Sequence, residues 1–74
     1  MLEKLQGIIR QFTDDSEIVI TGETVLLADL GLNSFELVEM VCAVEEQFGI
    51  EIPERAISGF KKVQDVMDYI AAHG

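Results

Sequence analysis

The sequence predicts an all-α fold: a small antiparallel bundle of three main helices and one short helix, with a long connection between the first two. Three observations lead there. Apolar residues recur at helical spacing near the start, over residues 35 to 48 and over residues 63 to 70. The chain has 74 residues, room for one small domain. Hydrophobic residues make up 49% of it, enough to form a core and to exclude wholesale disorder. Residues 1–74 read as a single free-standing domain.

Leu2, Leu5, Ile8, Ile9 and Phe12 fall on one face of a first amphipathic helix, with Glu3, Lys4, Arg10 and Gln11 on the others. Thr13-Asp14-Asp15-Ser16 is expected to end it, because these side chains compete for backbone hydrogen bonds. Asp14-Asp15-Ser16-Glu17 lacks the ligand spacing and central glycine of a calcium loop and reads as a solvated turn. Residues 17 to 33 admit two readings. Ile18-Val19-Ile20 and Thr24-Val25-Leu26-Leu27 flank Gly22 as two strands flank a hairpin turn, and propensity favours that hairpin. Alternatively, Val25, Leu26, Leu30 and Leu32 pin a long ordered loop onto helices. Side-chain pattern does not choose between them.

Leu37, Met40, Val41, Val44 and Phe48 form the core face of the second helix, which Gly49 stops. A second apolar stripe, Phe35, Val38 and Cys42, is rotated away from the first and bordered by Glu39, Glu45 and Glu46. Those carboxylates would be poorly solvated in a core. The stripe is therefore expected to be exposed and to suit a protein partner. Ile50-Glu51-Ile52-Pro53 reads as a short extended stretch, with Pro53 opening a turn of helix at Glu54-Arg55-Ala56-Ile57 that Ser58-Gly59 closes. Val63, Val66, Met67 and Ile70 mark the last helix, flanked by Tyr69 and preceded by Lys62, a weak cap. Ala71-Ala72-His73-Gly74 reads as a short tail whose histidine lies at the frayed end.

Fourteen acidic residues against five basic ones give a net charge of −9. That balance disfavours nucleic acid and anionic membranes and favours a partner with a basic patch. Self-repulsion should make stability salt-dependent. No stretch approaches the roughly 20 apolar residues of a membrane span. The single cysteine, Cys42, has no second thiol or nearby histidine to suggest a disulfide or a metal site. The chain reads as cytoplasmic, with no membrane insertion.

Between the loop and the second helix lies Asp29-Leu30-Gly31-Leu32-Asn33-Ser34-Phe35. Asn33 is a good N-cap, and Glu36 three residues on can return a bond to the cap's own N–H. Ser34 then projects from the first turn, beside unpaired N–H groups and the positive end of the helix dipole, where phosphate is favourably placed. The alternative is a second capping residue. As nucleophiles, Ser34 and Cys42 lack a positioned base, since the sole histidine is His73. Autonomous catalysis is therefore disfavoured.

The segment Asp29 to Phe35, the Glu-rich helix after it, Phe48-Gly49-Ile50-Glu51-Ile52-Pro53 and the closing Val63-Gln64-Asp65-Val66-Met67-Asp68-Tyr69-Ile70 resemble an acyl carrier protein over nearly the whole chain. The resemblance implies an ordered loop, not a hairpin, for residues 17 to 33. It implies that a separate phosphopantetheinyl transferase moves phosphopantetheine from coenzyme A onto Ser34, and that the arm's thiol then carries acyl intermediates between enzymes of fatty acid or related polyketide or specialised lipid biosynthesis. It further implies a monomer that performs no catalysis itself. Phe35, Val38 and Cys42 resemble the family's partner-facing strip, and Glu36, Glu39, Glu45 and Glu46 its acidic face for basic docking patches. Leu37, Met40, Val44 and Ile52 correspond to a sheltered space for the acyl chain. The family usually has Asp before the serine and Leu after it, where this chain has Asn33 and Phe35, and often Ser or Thr where this chain has Lys62. Asn33 and Phe35 leave open which transferase modifies Ser34 and which pathway is served, and Lys62 leads one to expect a looser last helix. The alternatives are an aminoacyl or peptidyl carrier, or an unmodified acidic interaction module with the same fold.

Overall fold

Leu5, Ile8 and Ile9 turn the N-terminal segment onto the core as α1 (Leu2–Ile9). The computed structural model describes residues 1–13 and 17–73. The helical pattern read through Phe12 overruns the α-helix: the N–H groups of Gln11 and Phe12 reach back three residues, to the carbonyls of Ile8 (3.1 Å) and Ile9 (2.9 Å). The chain thus leaves α1 through tightened turns. Phe12 still packs against the core. Of the turn expected to follow, residues 14–16 lie outside the described residues.

The hairpin favoured by propensity does not form. Among the described residues the only β pairing is an isolated antiparallel bridge between Val25 and Lys62. The backbone groups that a hairpin would pair are used elsewhere. Gln6 Nε2 donates to the carbonyl of Ile20 (2.7 Å), Leu26 N–H to Lys61 (2.9 Å), and the N–H groups of Val63 and Gln64 to Thr24 (3.0 Å) and Gly22 (2.9 Å). The segment is a loop stitched to the start of the last helix. Ile20, Leu26, Leu30 and Leu32 are buried, so it supplies part of the core. Gly31, at φ 69°, turns the chain between Leu30 and Leu32 in a conformation that a side chain would disfavour.

The second helix, α2 (Ser34–Phe48), buries Leu37, Met40, Val41 and Val44, and Gly49 in the left-handed conformation (φ 67°) ends it with its N–H on the carbonyl of Glu45 (2.8 Å). The stretch to Ile52 is held from the same residue: Glu45 Oε2 accepts the N–H of Ile52 at 2.8 Å. After Pro53, here the cap rather than the first helical residue, comes the single turn α3 (Glu54–Ile57). The final helix, α4 (Val63–His73), buries Val63, Val66 and Ile70. His73 belongs to this helix, its ring stacked on Tyr69 with centroids 4.1 Å apart, so the expected tail is helical up to that point. The radius of gyration is 11.0 Å, about that of a folded chain of this length. Among the described residues no helix is long and apolar enough to cross a membrane.

Lys62 was expected to leave the start of α4 loosely capped, and Asp65 removes the difficulty. Its Oδ2 accepts the N–H groups of both Lys61 and Lys62 at 2.9 Å, the returning half of a capping box. Those bonds, that from Lys62 first, hold the Asp65 carboxyl below its ordinary pKa of 3.8, with the two lysine charges adding to the effect. A carboxylate lowered in the folded state contributes stability that is whole above the unfolded pKa and is lost as pH falls through the folded value. Thermal midpoints are therefore expected to drop on acidification below about pH 4, and less steeply in Asp65→Asn. Equal slopes in the two proteins would contradict this role. Asp65→Ala should cost about 1 kcal/mol at neutral pH, the usual worth of a cap.

Candidate functional site

Asn33 and Glu36 form the expected capping box: Asn33 Oδ1 accepts the N–H of Glu36 at 2.7 Å, and Glu36 Oε1 accepts the N–H of Asn33 at 3.2 Å. Since Asn33 does the capping, Ser34 is not needed for it. Ser34 is exposed at the first position of α2, and no partner among the described residues holds its hydroxyl. The N–H groups of Ser34 and Phe35 have no intrahelical acceptor, as in the first turn of any α-helix. An exposed hydroxyl beside the positive end of a 15-residue helix is suited to bearing a negatively charged substituent.

The residues of the apolar stripe do face outward. Phe35 is 71% exposed and Val38 43%, and Cys42 is exposed one turn further on. Positions 35, 39, 42 and 46 fall three, four and seven residues apart, so Glu39 and Glu46, both exposed, rim the strip along one side of α2. Glu45 differs from them, because its carboxylate is half-buried and occupied by the N–H of Ile52. Glu36 is likewise engaged by the cap. The acids open to a partner on this face are thus chiefly Glu39 and Glu46.

A groove of about 300 Å³ opens beside Ser34. Its walls are Leu27 from the loop, Leu37 and Val38 from α2, Ile57 from α3, and Phe60 and Lys61 from the connection to α4. A smaller depression of about 100 Å³ shares Leu27, Phe60 and Lys61 and extends to Val25. Of the four residues assigned to an acyl space, only Leu37 lines the groove, while Met40, Val44 and Ile52 lie at 0%, 0% and 5% exposure in the packed core. Leu27, Ile57, Phe60 and Lys61 were not singled out from the sequence. Leu27 stands exposed beside buried Leu26, and nothing in the apolar run Val25-Leu26-Leu27 marks which of its residues faces out. Lys61 carried no signal, because only the fold brings it to Ser34. Among the described residues no group of three or more His, Cys, Asp or Glu side chains is placed to hold a metal ion.

A head serine whose hydroxyl has no hydrogen-bond partner among the described residues opens onto a groove of mixed lining, apolar at Leu27, Leu37, Val38, Ile57 and Phe60 and polar at Ser58, with Lys61 and Glu54 as its two charges; a helix head beside a partly apolar groove fits a group that is anionic where it joins the protein and partly apolar beyond. Comparisons with known proteins agree with that chemistry. A family model described as a phosphopantetheine attachment site matches residues 3–70. The acyl carrier protein of Clostridium perfringens strain 13 is 41% identical over 73 residues, covering 99% of this chain and 96% of its own. That of Thermosynechococcus vestitus is 41% identical over 71 residues, covering 95% of this chain and 86% of its own.

Proposed function

The chain belongs to the phosphopantetheine-attachment family of acyl carrier proteins, and from that premise we propose that Ser34 is the residue that carries the arm. The protein is an acyl carrier, and phosphopantetheine, once attached, supplies a terminal thiol on which acyl groups travel as thioesters. The observation that carries the assignment is the serine itself, exposed at the head of α2 with its hydroxyl unpartnered among the described residues while Asn33 caps the helix. No base is needed in this chain, because a separate transferase supplies the chemistry of attachment.

The surrounding residues divide the remaining work. The first turn of α2 favours the negative charge of a phosphodiester at Ser34. Phe35, Val38 and Cys42 offer apolar contact to partner enzymes, and Glu39 and Glu46, with lesser parts for Glu36 and Glu45, steer basic docking patches toward it. Exposed ion pairs are individually weak, which suits a carrier that must leave each partner. Leu37 fronts the groove for cargo, whereas Met40, Val44 and Ile52 become reachable only if α2 parts from its neighbours. The enzymes served are those of fatty acid synthesis or a related polyketide or specialised lipid route. The carrier works as a monomer in the cytoplasm.

Thiol counting tests the function. The untreated protein has one thiol, Cys42. After incubation with coenzyme A and a broad-range phosphopantetheinyl transferase it should titrate with two, and Cys42→Ser should rise from none to one. A count that does not change would overturn the carrier assignment.

A further inference from the structure

Lys61 is held at its root on both sides. Its N–H donates to Asp65 Oδ2 and its carbonyl accepts the N–H of Leu26, each at 2.9 Å. The neighbouring Lys62 has its ammonium on Glu23 Oε2 at 3.1 Å, whereas among the described residues Lys61 makes no ion pair. Of the chain's five Lys and Arg residues, Lys61 is the one that lines the groove with Ser34; Arg55 lines the depression on the other side of Phe60, with Tyr69 and His73.

The charge balance of the groove gives this placement its meaning. Glu54 also lines it, and no Lys or Arg occurs between Gln11 and Glu54, in a chain of net charge −9. A phosphodiester on Ser34 adds another negative charge to that field. Without a cation in the wall, repulsion would favour an arm extended into solvent. With its backbone fixed, Lys61 loses only side-chain freedom in meeting the phosphate.

We propose that Lys61 is a positioning residue that pairs with the phosphodiester on Ser34 and lays the arm into the groove between Leu27 and Phe60. This rests on the assignment of Ser34 as the attachment point. Leu27, Ile57 and Phe60 then cover the apolar part of the arm at the surface, while the core beneath stays closed. An exposed pair of this kind favours the docked arm by about a few-fold, enough to hold it and weak enough to let a partner enzyme draw it out.

The experiment compares apo and phosphopantetheine-loaded protein by ¹⁵N and ³¹P NMR for wild type, Lys61→Gln and Lys61→Arg, with intact mass verifying loading. In the wild type, loading should shift the amides of Leu27, Ile57 and Phe60, and added salt should move the phosphorus resonance. In Lys61→Gln the groove shifts should shrink several-fold and the salt response should vanish, with Lys61→Arg restoring both. Matching apo spectra establish that the variants remain folded, since the bonds of Lys61 to Asp65 and Leu26 come from its backbone. Equal groove shifts in fully loaded wild type and Lys61→Gln would overturn the role of Lys61 and leave the carrier assignment standing. A wild type that gains no arm would overturn both.

Discussion

Reversing Glu39 and Glu46 to Lys is expected to slow attachment of the arm by roughly tenfold or more at low ionic strength, the scale on which charge steering acts. Both carboxylates are exposed on the side of α2 that presents Phe35, Val38 and Cys42, and among the described residues neither makes a hydrogen bond. The substitutions should therefore leave the helix content and thermal midpoint nearly unchanged. The effect should shrink as salt is raised toward a Debye length of about 3 Å. Initial rates of mass gain with coenzyme A and a transferase, taken at low and high salt, measure it. Rates equal to wild type at low salt would remove this face from the docking surface. Glu45→Gln is the informative contrast, because the Glu45 carboxylate braces Ile52 and its loss acts on the fold.

Leu26→Ala is expected to cost about 2–5 kcal/mol, the usual range for emptying a buried leucine site. Small domains have only about 5–15 kcal/mol to lose. Leu26 is fully buried, and its N–H bonds to the carbonyl of Lys61, so the loop's anchor and the wall of the Ser34 groove meet at this residue. Denaturant unfolding reads the loss. A midpoint within error of wild type would mean that the loop contributes nothing to the core, contrary to the burial of Ile20, Leu26, Leu30 and Leu32. Leu27→Ala, at a site 46% exposed one residue away, should cost far less.

Those two residues also mark what could be read from the chain beforehand. The capping pair Asn33 and Glu36, the core face of α2 and the outward Phe35, Val38 and Cys42 strip were legible, because each depends on spacing within a single helix. The path of residues 17 to 33 was not. Ile18-Val19-Ile20 has strand character, and whether its neighbours pair with each other or with the start of α4 depends on backbone partners remote in sequence. Resemblance to a family, not propensity, favoured the loop. Asp65 reads in sequence as an outward acid of the last helix and not as a cap for a related reason: the cap position falls at Lys62, whereas the bond returns from three residues inside the helix. Lys61 and Phe60 join the site only because the loop is stitched to α4, which brings their connection against Ser34.

The most direct test of the central claim is the mass of the intact protein before and after treatment with coenzyme A and a broad-range transferase, for wild type and Ser34→Ala, followed by fragmentation of the modified wild type. Among the described residues the Ser34 side chain makes no hydrogen bond that alanine would forfeit, so the variant should fold as wild type does. The expected result is a gain of one phosphopantetheine on the wild type, localised to Ser34, and none on Ser34→Ala. A gain on Ser34→Ala, or fragments placing the added mass on any other residue, would contradict it.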